Sequence, residues 1–171
     1  PNYHFIEGDV SDPNDCAKAL EGIDYVSHQA ALGSVPRSLK DPIATNKANV
    51  VGFLNMITLA REARVKRFVY ASSSSVYGDS RALPKKEDQI GRPLNSYAVS
   101  KLTDELYAGA AYLNYGQELI GLRYFNIFGP RQSPQGPYAA VIPLFIQALL
   151  KEQSPFINGK GEQSRDFTYV E

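Results

Sequence analysis

The chain has 171 residues, 43% hydrophobic and 21% charged, enough for a real core in an ordinary globular protein. Eighteen basic and 18 acidic side chains leave a formal net charge of zero. That balance offers no basic excess for nucleic acid and no polybasic segment for a membrane surface, and no apolar run approaches the roughly 20 residues that span a bilayer.

The chain opens at Pro1, without a methionine or leader pattern, inside what reads as a strand over residues 3–6 that ends at Gly8-Asp9. The expectation is a chain whose N-terminal βαβ part is missing. Asp12 as N-cap and Pro13 at the first helical position start a helix to about Leu20, which Gly22 stops. Cys16 lies on that helix; a lone cysteine makes no internal disulfide and fits a semi-buried side chain in a reducing, cytoplasmic setting. Tyr25-Val26-Ser27-His28 is the next strand, broken by the small residues Ala30, Ala31 and Gly33. A long helical pattern covers residues 43–63, with Val50, Leu54, Ile57 and Leu59 as its apolar stripe. Residues 67–71 form a third strand running into Ser72-Ser73-Ser74-Ser75. Residues 96–115 return to helical spacing, 118–123 read as a strand and 139–150 as a helix, before an irregular end with short β-prone pieces. Pro and Gly become denser from Asn126 onward, so residues 1–125 are expected to be one domain and 126–171 the beginning of a second, smaller lobe interleaved with it.

Strands alternating with helices of this length make βαβ units and a parallel α/β sheet. Ligands sit at the carboxyl ends of such strands. Three of the four strands here end in small or polar residues: Gly8-Asp9, Gln29-Ala30-Ala31 and Ser72 to Ser75.

Tyr97 and Lys101 stand four apart on a predicted helix, so they emerge on one face, one turn apart. An ammonium near a phenol favours the phenolate, so Tyr97 can serve as acid and base near neutral pH. Spacing alone carries little, because composition supplies about 0.6 such pairs by chance. Order carries more. Upstream of the pair lie His28-Gln29-Ala30-Ala31 and Ala71-Ser72-Ser73-Ser74-Ser75-Val76-Tyr77-Gly78, and downstream lies Leu122-Arg123-Tyr124-Phe125-Asn126-Ile127-Phe128-Gly129-Pro130, the last two each after a strand.

With these motifs in this order, the chain resembles the extended short-chain dehydrogenase/reductases, the NAD-dependent nucleotide-sugar epimerases and dehydratases, from Phe5 to Glu171. The resemblance implies a Rossmann-type doubly wound parallel α/β sheet with the start of a small substrate lobe. It implies NAD as cofactor and no metal. Ser73, Tyr97 and Lys101 would be the catalytic trio, Ser73 lying four residues before Tyr77 of the Val-Tyr-Gly motif. Asp9 and Val10 would lie at the adenine, and Gln29, Ala30 and Ala31 along the cofactor backbone, where small residues permit close approach. Asn49 matches the family's asparagine on the central helix. Lys101 would also contact the nicotinamide ribose, and Tyr124 would flank the nicotinamide. The family's glycine-rich phosphate loop would precede Pro1, and most of its substrate lobe would follow Glu171.

The family's sugar dehydratases carry Asp-Glu after the catalytic hydroxyl, and its decarboxylases carry Glu at the second position. Ser74 and Ser75 stand there in this chain, and hydroxyls of ordinary acidity cannot do that acid–base work. What remains suits reversible hydride transfer at one carbon, which is all that 4-epimerisation needs. Within the family, Gln29-Ala30-Ala31-Leu32-Gly33-Ser34-Val35-Pro36-Arg37-Ser38, the serine block and the stretch from Arg131 to Pro143 are similar to the bacterial UDP-N-acetylglucosamine 4-epimerases. By that resemblance Gly33, Ser34, Ser74, Ser75, Asn126, Gln132 and Ala140 line the sugar pocket, and Arg165 binds the diphosphate. A UDP-sugar substrate and a homodimer are expected, with no nucleic-acid or membrane partner. A UDP-glucuronate 4-epimerase, another nucleotide-sugar oxidoreductase and a non-catalytic NAD-binding module remain as alternatives.

Overall fold

A computed structural model describes residues 3–135, 139–157 and 159–171. The chain divides into two compact units, Pro1–Arg123 and Tyr124–Glu171.

In the first unit α1, Pro13–Ala19, begins as expected: the Asp12 carboxylate accepts the Asn14 N–H at 2.8 Å, and Pro13 occupies the first turn. The Cys16 thiol is buried and donates to the Val10 carbonyl at 3.1 Å, as does Asn55 Nδ2 at 3.1 Å. Both helices thereby fix the loop that carries Asp9 and Val10. Strand β1, Tyr25–His28, pairs in parallel with β2, Arg67–Ser73, placing His28 opposite Tyr70. Strand β3, Leu119–Tyr124, lies on the other side of β2. The pleat sends Phe68, Tyr70 and Ser72 of β2 to the buried side. There Phe53 packs 4.8 Å from Tyr70, 6.3 Å from Phe68 and 5.8 Å from His28, centroid to centroid.

The long helical pattern is real but not uniform. It comprises α3, Pro42–Asn46, one π turn at Lys47–Val51, and α4, Gly52–Glu62. A π turn holds an extra residue, so a stripe drawn at 3.6 per turn slips across it. The buried face is accordingly Asn49, Phe53, Met56, Ile57 and Ala60, with Leu54 and Leu59 flanking it and Val50 only half-buried. Helix α2, Val35–Lys40, was hidden in sequence by its small residues and Pro36, yet Ser34 caps it by accepting the Arg37 N–H at 3.3 Å. Helix α5, Ser96–Tyr115, matches its expected bounds and ends on Gly116 in the left-handed region, φ 64°.

The expected strand over residues 3–6 is not formed. The described residues of this run join no ladder, and Tyr3 and Phe5 are 80% and 70% exposed. A β-prone run gains little without a neighbour to bond to. In the second unit β4, Asn126–Phe128, and β5, Phe167–Tyr169, form a short parallel pair with the Phe128 and Tyr169 rings tilted against each other, centroids 5.3 Å apart. Helix α6 there spans Val141–Leu150, two residues shorter than expected at its start. No helix among the described residues is long and apolar enough to cross a membrane.

His28 is buried in the aromatic cluster, and desolvation, reinforced by the Lys101 charge, pulls its imidazole down from 6.5 to about 4. The folded protein therefore binds fewer protons at this site than the unfolded chain between those values. Stability from neutral His28 is complete above pH 6.5 and lost as pH falls through about 4, a loss of roughly 3 kcal/mol. The thermal midpoint of the intact protein should fall across that window. His28→Phe, which keeps a ring against Phe53, should flatten this acid limb; an unchanged slope would assign it to other groups.

Candidate active site

Helix α5 is held at its first turn by three neighbours. Asn95 caps it, accepting the Ala98 N–H at 2.9 Å. The Tyr97 N–H donates to Ser38 Oγ of α2 at 3.1 Å, and Asn49 Nδ2 from the π turn donates to Ser100 Oγ at 3.0 Å. This leaves Tyr97 half-buried, and its hydroxyl makes no hydrogen bond among the described residues. One turn on, Lys101 is 3% exposed. Its ammonium donates to the Ala71 carbonyl at 2.8 Å and pairs with Asp104 Oδ2 at 3.4 Å. Burial pulls the Lys101 ammonium below its ordinary range, and Asp104 opposes that pull.

Lys101 is thus tied to the strand end two residues before Ser73. Ser72 turns inward, where its hydroxyl donates to Glu105. Arg123 grips the same carboxylate with two bonds, 2.9 and 2.7 Å, donates to the Glu87 carbonyl at 2.8 Å and lies over the Tyr77 ring. Alternation then sends Ser73 to the opposite side, half-buried, where its Oγ accepts the Ser75 N–H at 3.1 Å and caps the 3₁₀ turn Ser74–Tyr77. Gly78 ends that turn at φ 53°; a Cβ there would sit 2.0 Å from the Arg92 carbonyl oxygen. Ser74 is half-buried, and Ser75 Oγ is buried without a partner among the described residues.

The loop after β1 is small and open. Gln29 donates to Ser27 Oγ at 3.1 Å, Ala30 and Ala31 are exposed, and a Cβ on Gly33 would meet nothing. Asn49, 1% exposed, pins this loop by a two-way pairing with Leu32, accepting its N–H at 2.7 Å and donating to its carbonyl at 3.3 Å. With Ser100, both N–H donors of that amide and its oxygen are engaged inside the protein. Ser34 holds φ 99°, a strained conformation for a serine, at the cap of α2. Asp9 is exposed; the Ser11 N–H, at 2.8 Å, holds its carboxyl below the usual range. Val10 packs on Gly52, whose Cβ would lie 2.6 Å from Val10 Cγ2.

In the second unit, Asn126 donates to the Asp166 carbonyl at 2.9 Å and Gln132 to the Ile127 carbonyl at 3.3 Å. Gln132 also lines an apolar cavity of about 580 Å³ with Phe128, Pro130, Ile142, Ile146 and Tyr169. Tyr124 is half-buried at the end of β3, and Ala140 is exposed just before α6. Arg165 is exposed and donates to the Ser164 carbonyl at 2.7 Å. Asn126, Ala140 and Arg165 do not line that cavity. Gly136, Pro137 and Tyr138 of the stretch from Arg131 to Pro143 lie outside the described residues.

Six polar residues supporting the site were not singled out from sequence: Ser38, Ser72, Ser100, Asp104, Glu105 and Arg123. A signal existed for two of them. Asp104 and Glu105 stand three and four residues after Lys101, the spacing at which helical charges meet.

A profile of the NAD dependent epimerase/dehydratase family matches residues 1–171. A putative UDP-glucose 4-epimerase of Methanocaldococcus jannaschii is 38% identical across 99% of the chain and 56% of its own length. A human dTDP-D-glucose 4,6-dehydratase is 36% identical across 99% of the chain and 48% of its own. The solved structure of the UDP-N-acetylglucosamine 4-epimerase of Methanobrevibacter ruminantium M1, in complex with UDP-N-acetylmuramic acid, superposes with a TM-score of 0.91 at 44% identity, over 96% of this chain and 53% of that one. The chain thus spans about half the length of the relatives it matches.

Asn49→Ala should strand the Leu32 N–H and carbonyl and free Ser100, destabilising the intact protein by about 2–4 kcal/mol. Chemical denaturation measures the loss, and amide exchange should show Leu32 unprotected. A variant as stable as the parent would remove Asn49 from this role.

Proposed function

Because the chain belongs to the NAD dependent epimerase/dehydratase family, we propose that the intact protein interconverts the C4 epimers of a UDP-hexose, UDP-N-acetylglucosamine and UDP-N-acetylgalactosamine in particular. The observation that carries this reading is the combination at the end of β2. A buried Lys101 lies one helical turn from Tyr97, whose hydroxyl is uncommitted, and is bonded to the Ala71 carbonyl two residues before Ser73, while hydroxyls rather than carboxylates follow at Ser74 and Ser75. Relatives of similar identity include both epimerases and a dehydratase, so overall similarity leaves the reaction open. The serines favour epimerisation.

The first unit suits the cofactor in its chemistry. Asp9 and Val10 offer a carboxylate and an apolar contact for the adenosine end, Gln29, Ala30 and Ala31 an open small-residue surface, and Lys101 a cation for the nicotinamide ribose. Asn49 serves this site by holding Leu32 in place. Bound there, NAD would supply a reversible hydride acceptor for C4. In this reading Tyr97 removes the proton from the C4 hydroxyl and gives it back, Lys101 stabilises the phenolate, and Ser73 hydrogen-bonds the C4 oxygen. Gly33, Ser34, Ser74 and Ser75 leave room and hydrogen-bonding capacity for an N-acetyl group. From the second unit we assign Tyr124 to the nicotinamide, Asn126, Gln132 and Ala140 to the sugar, and Arg165 to the diphosphate. That unit would begin the sugar-binding region. A cytoplasmic setting suits a free, buried Cys16.

Incubating the intact protein with UDP-GlcNAc, UDP-Glc and UDP-GlcA, without added NAD, tests the reading directly. UDP-GalNAc should appear from the first by NMR. Turnover of UDP-GlcA alone would replace the substrate, and no interconversion of any sugar would sink the epimerase assignment. Tyr97→Phe should lower kcat roughly 10²–10⁴-fold while NAD stays bound.

We also propose a homodimer formed through α5. Val99, Thr103, Leu106, Ala110 and Leu113 follow a 4-3-4-3 spacing, the seam of a helix bundle, and Val99, Leu106 and Leu113 are 51%, 66% and 82% exposed. Leu106→Glu should halve the mass of the intact protein in light scattering; a parent that is already monomeric ends the idea.

A further inference from the structure

Beside Lys101 stands a buried carboxylate to which no role has been given. Asp104 is 0% exposed, and its Oδ2 lies 3.4 Å from the Lys101 ammonium. Its Oδ1 is buried with no partner among the described residues. A carboxylate buried to hold the backbone normally saturates both oxygens, because an idle buried acceptor costs stability. Among the described residues the lysine is its one hydrogen-bond and ion-pair partner.

The neighbouring charges leave Lys101 no alternative. Glu105, next on α5, is committed to Arg123 of β3 and to Ser72 of β2. His28 of β1 is held neutral by burial, and burial also pushes the Tyr70 phenol of β2 up. What faces the ammonium is the Ala71 carbonyl, a dipole, and Asp104, a charge.

We infer that Asp104 is a positioning residue for Lys101: it keeps the buried lysine cationic and anchored at the end of β2, in reach of Tyr97. This rests on the assignment of Tyr97 and Lys101 as the acid–base pair. Removal of the carboxylate leaves desolvation unopposed, and desolvation favours the neutral amine. The shifts agree in direction, since burial lowers Lys101 and lifts Asp104 to about 7 while each opposes the other's shift.

The test uses the intact protein labelled with [ε-¹³C]lysine, the Lys101 signal being assigned by its loss in Lys101→Arg. In the parent, Lys101 should be charged through neutral pH. In Asp104→Asn, which keeps the shape and removes the charge, its titration midpoint should move to lower pH. The basic limb of kcat should follow, so that the parent-to-variant ratio grows roughly tenfold between pH 7 and pH 9. A residue that only stabilised the fold would lower the thermal midpoint and leave both profiles in place. Should Asp104→Asn fail to fold, Lys101→Met examines the pair from the other side: the Asp104 carboxyl, followed by its ¹³Cγ shift, should titrate higher. An unmoved Lys101 midpoint, an unmoved Asp104 midpoint or a neutral Lys101 in the parent at pH 7 overturns the inference. The NMR titrations need no substrate, so they stand or fall separately from the choice of sugar.

Discussion

Lys101 carries its charge into a place that water hardly reaches, between α5 and the carboxyl end of β2, and its neighbours are arranged around that desolvation. A buried ammonium without compensation gives up its proton. The Ala71 carbonyl and Asp104 meet it at close range, Glu105 is drawn off by Arg123, and His28 stays neutral. Moving α5 by even part of a turn would separate the ammonium from these partners. The bonds that fix the start of α5, from Asn95, Ser38 and Asn49 through Ser100, therefore bear directly on the chemistry proposed for Tyr97.

The strand end answers to the same constraint. Arg123, Glu105 and Ser72 form a clamp across β3, α5 and β2, and the pleat then leaves Ser73 facing away from it. One serine is spent on the core so that the next is presented at the strand end. On the far side of β1, Asn49 fixes the backbone of Leu32 between the exposed Ala31 and the open Gly33. A single amide thus couples the loop after β1 to the helix that carries Tyr97 and Lys101. The stiff parts of the site are backbone and helix ends, while its open parts are small side chains, a division that suits a large ligand laid across several strand ends.

Much of this was legible in the chain before any coordinates. Helical spacing alone gave α5 its observed ends, where the structure shows Asn95 as cap and Gly116 as stop. The α1 start was equally plain from Asp12 and Pro13. Local chemistry misled where the outcome depended on partners. Residues 3–6 have strand propensity but no ladder among the described residues, and the π turn displaced the apolar stripe by an amount that a fixed period does not anticipate. Asn49 matched the family's asparagine on the central helix by position, but its bonds to Leu32 and Ser100, 17 and 51 residues away in the chain, were not legible there.

The sequence by itself determined the α/β alternation, the order of strand-end motifs and the family, because these depend on residue type and near-neighbour spacing. It also determined that hydroxyls, not carboxylates, stand at positions 74 and 75. Only the tertiary structure decided which polar groups meet. Asp104 and Glu105 look alike in sequence, one turn beyond Lys101, yet one faces the lysine in a dry core and the other faces Arg123. The physical reason is that burial and charge pairing belong to the packed assembly of α5, β2 and β3. No single one of these segments shows how deep its charges will lie.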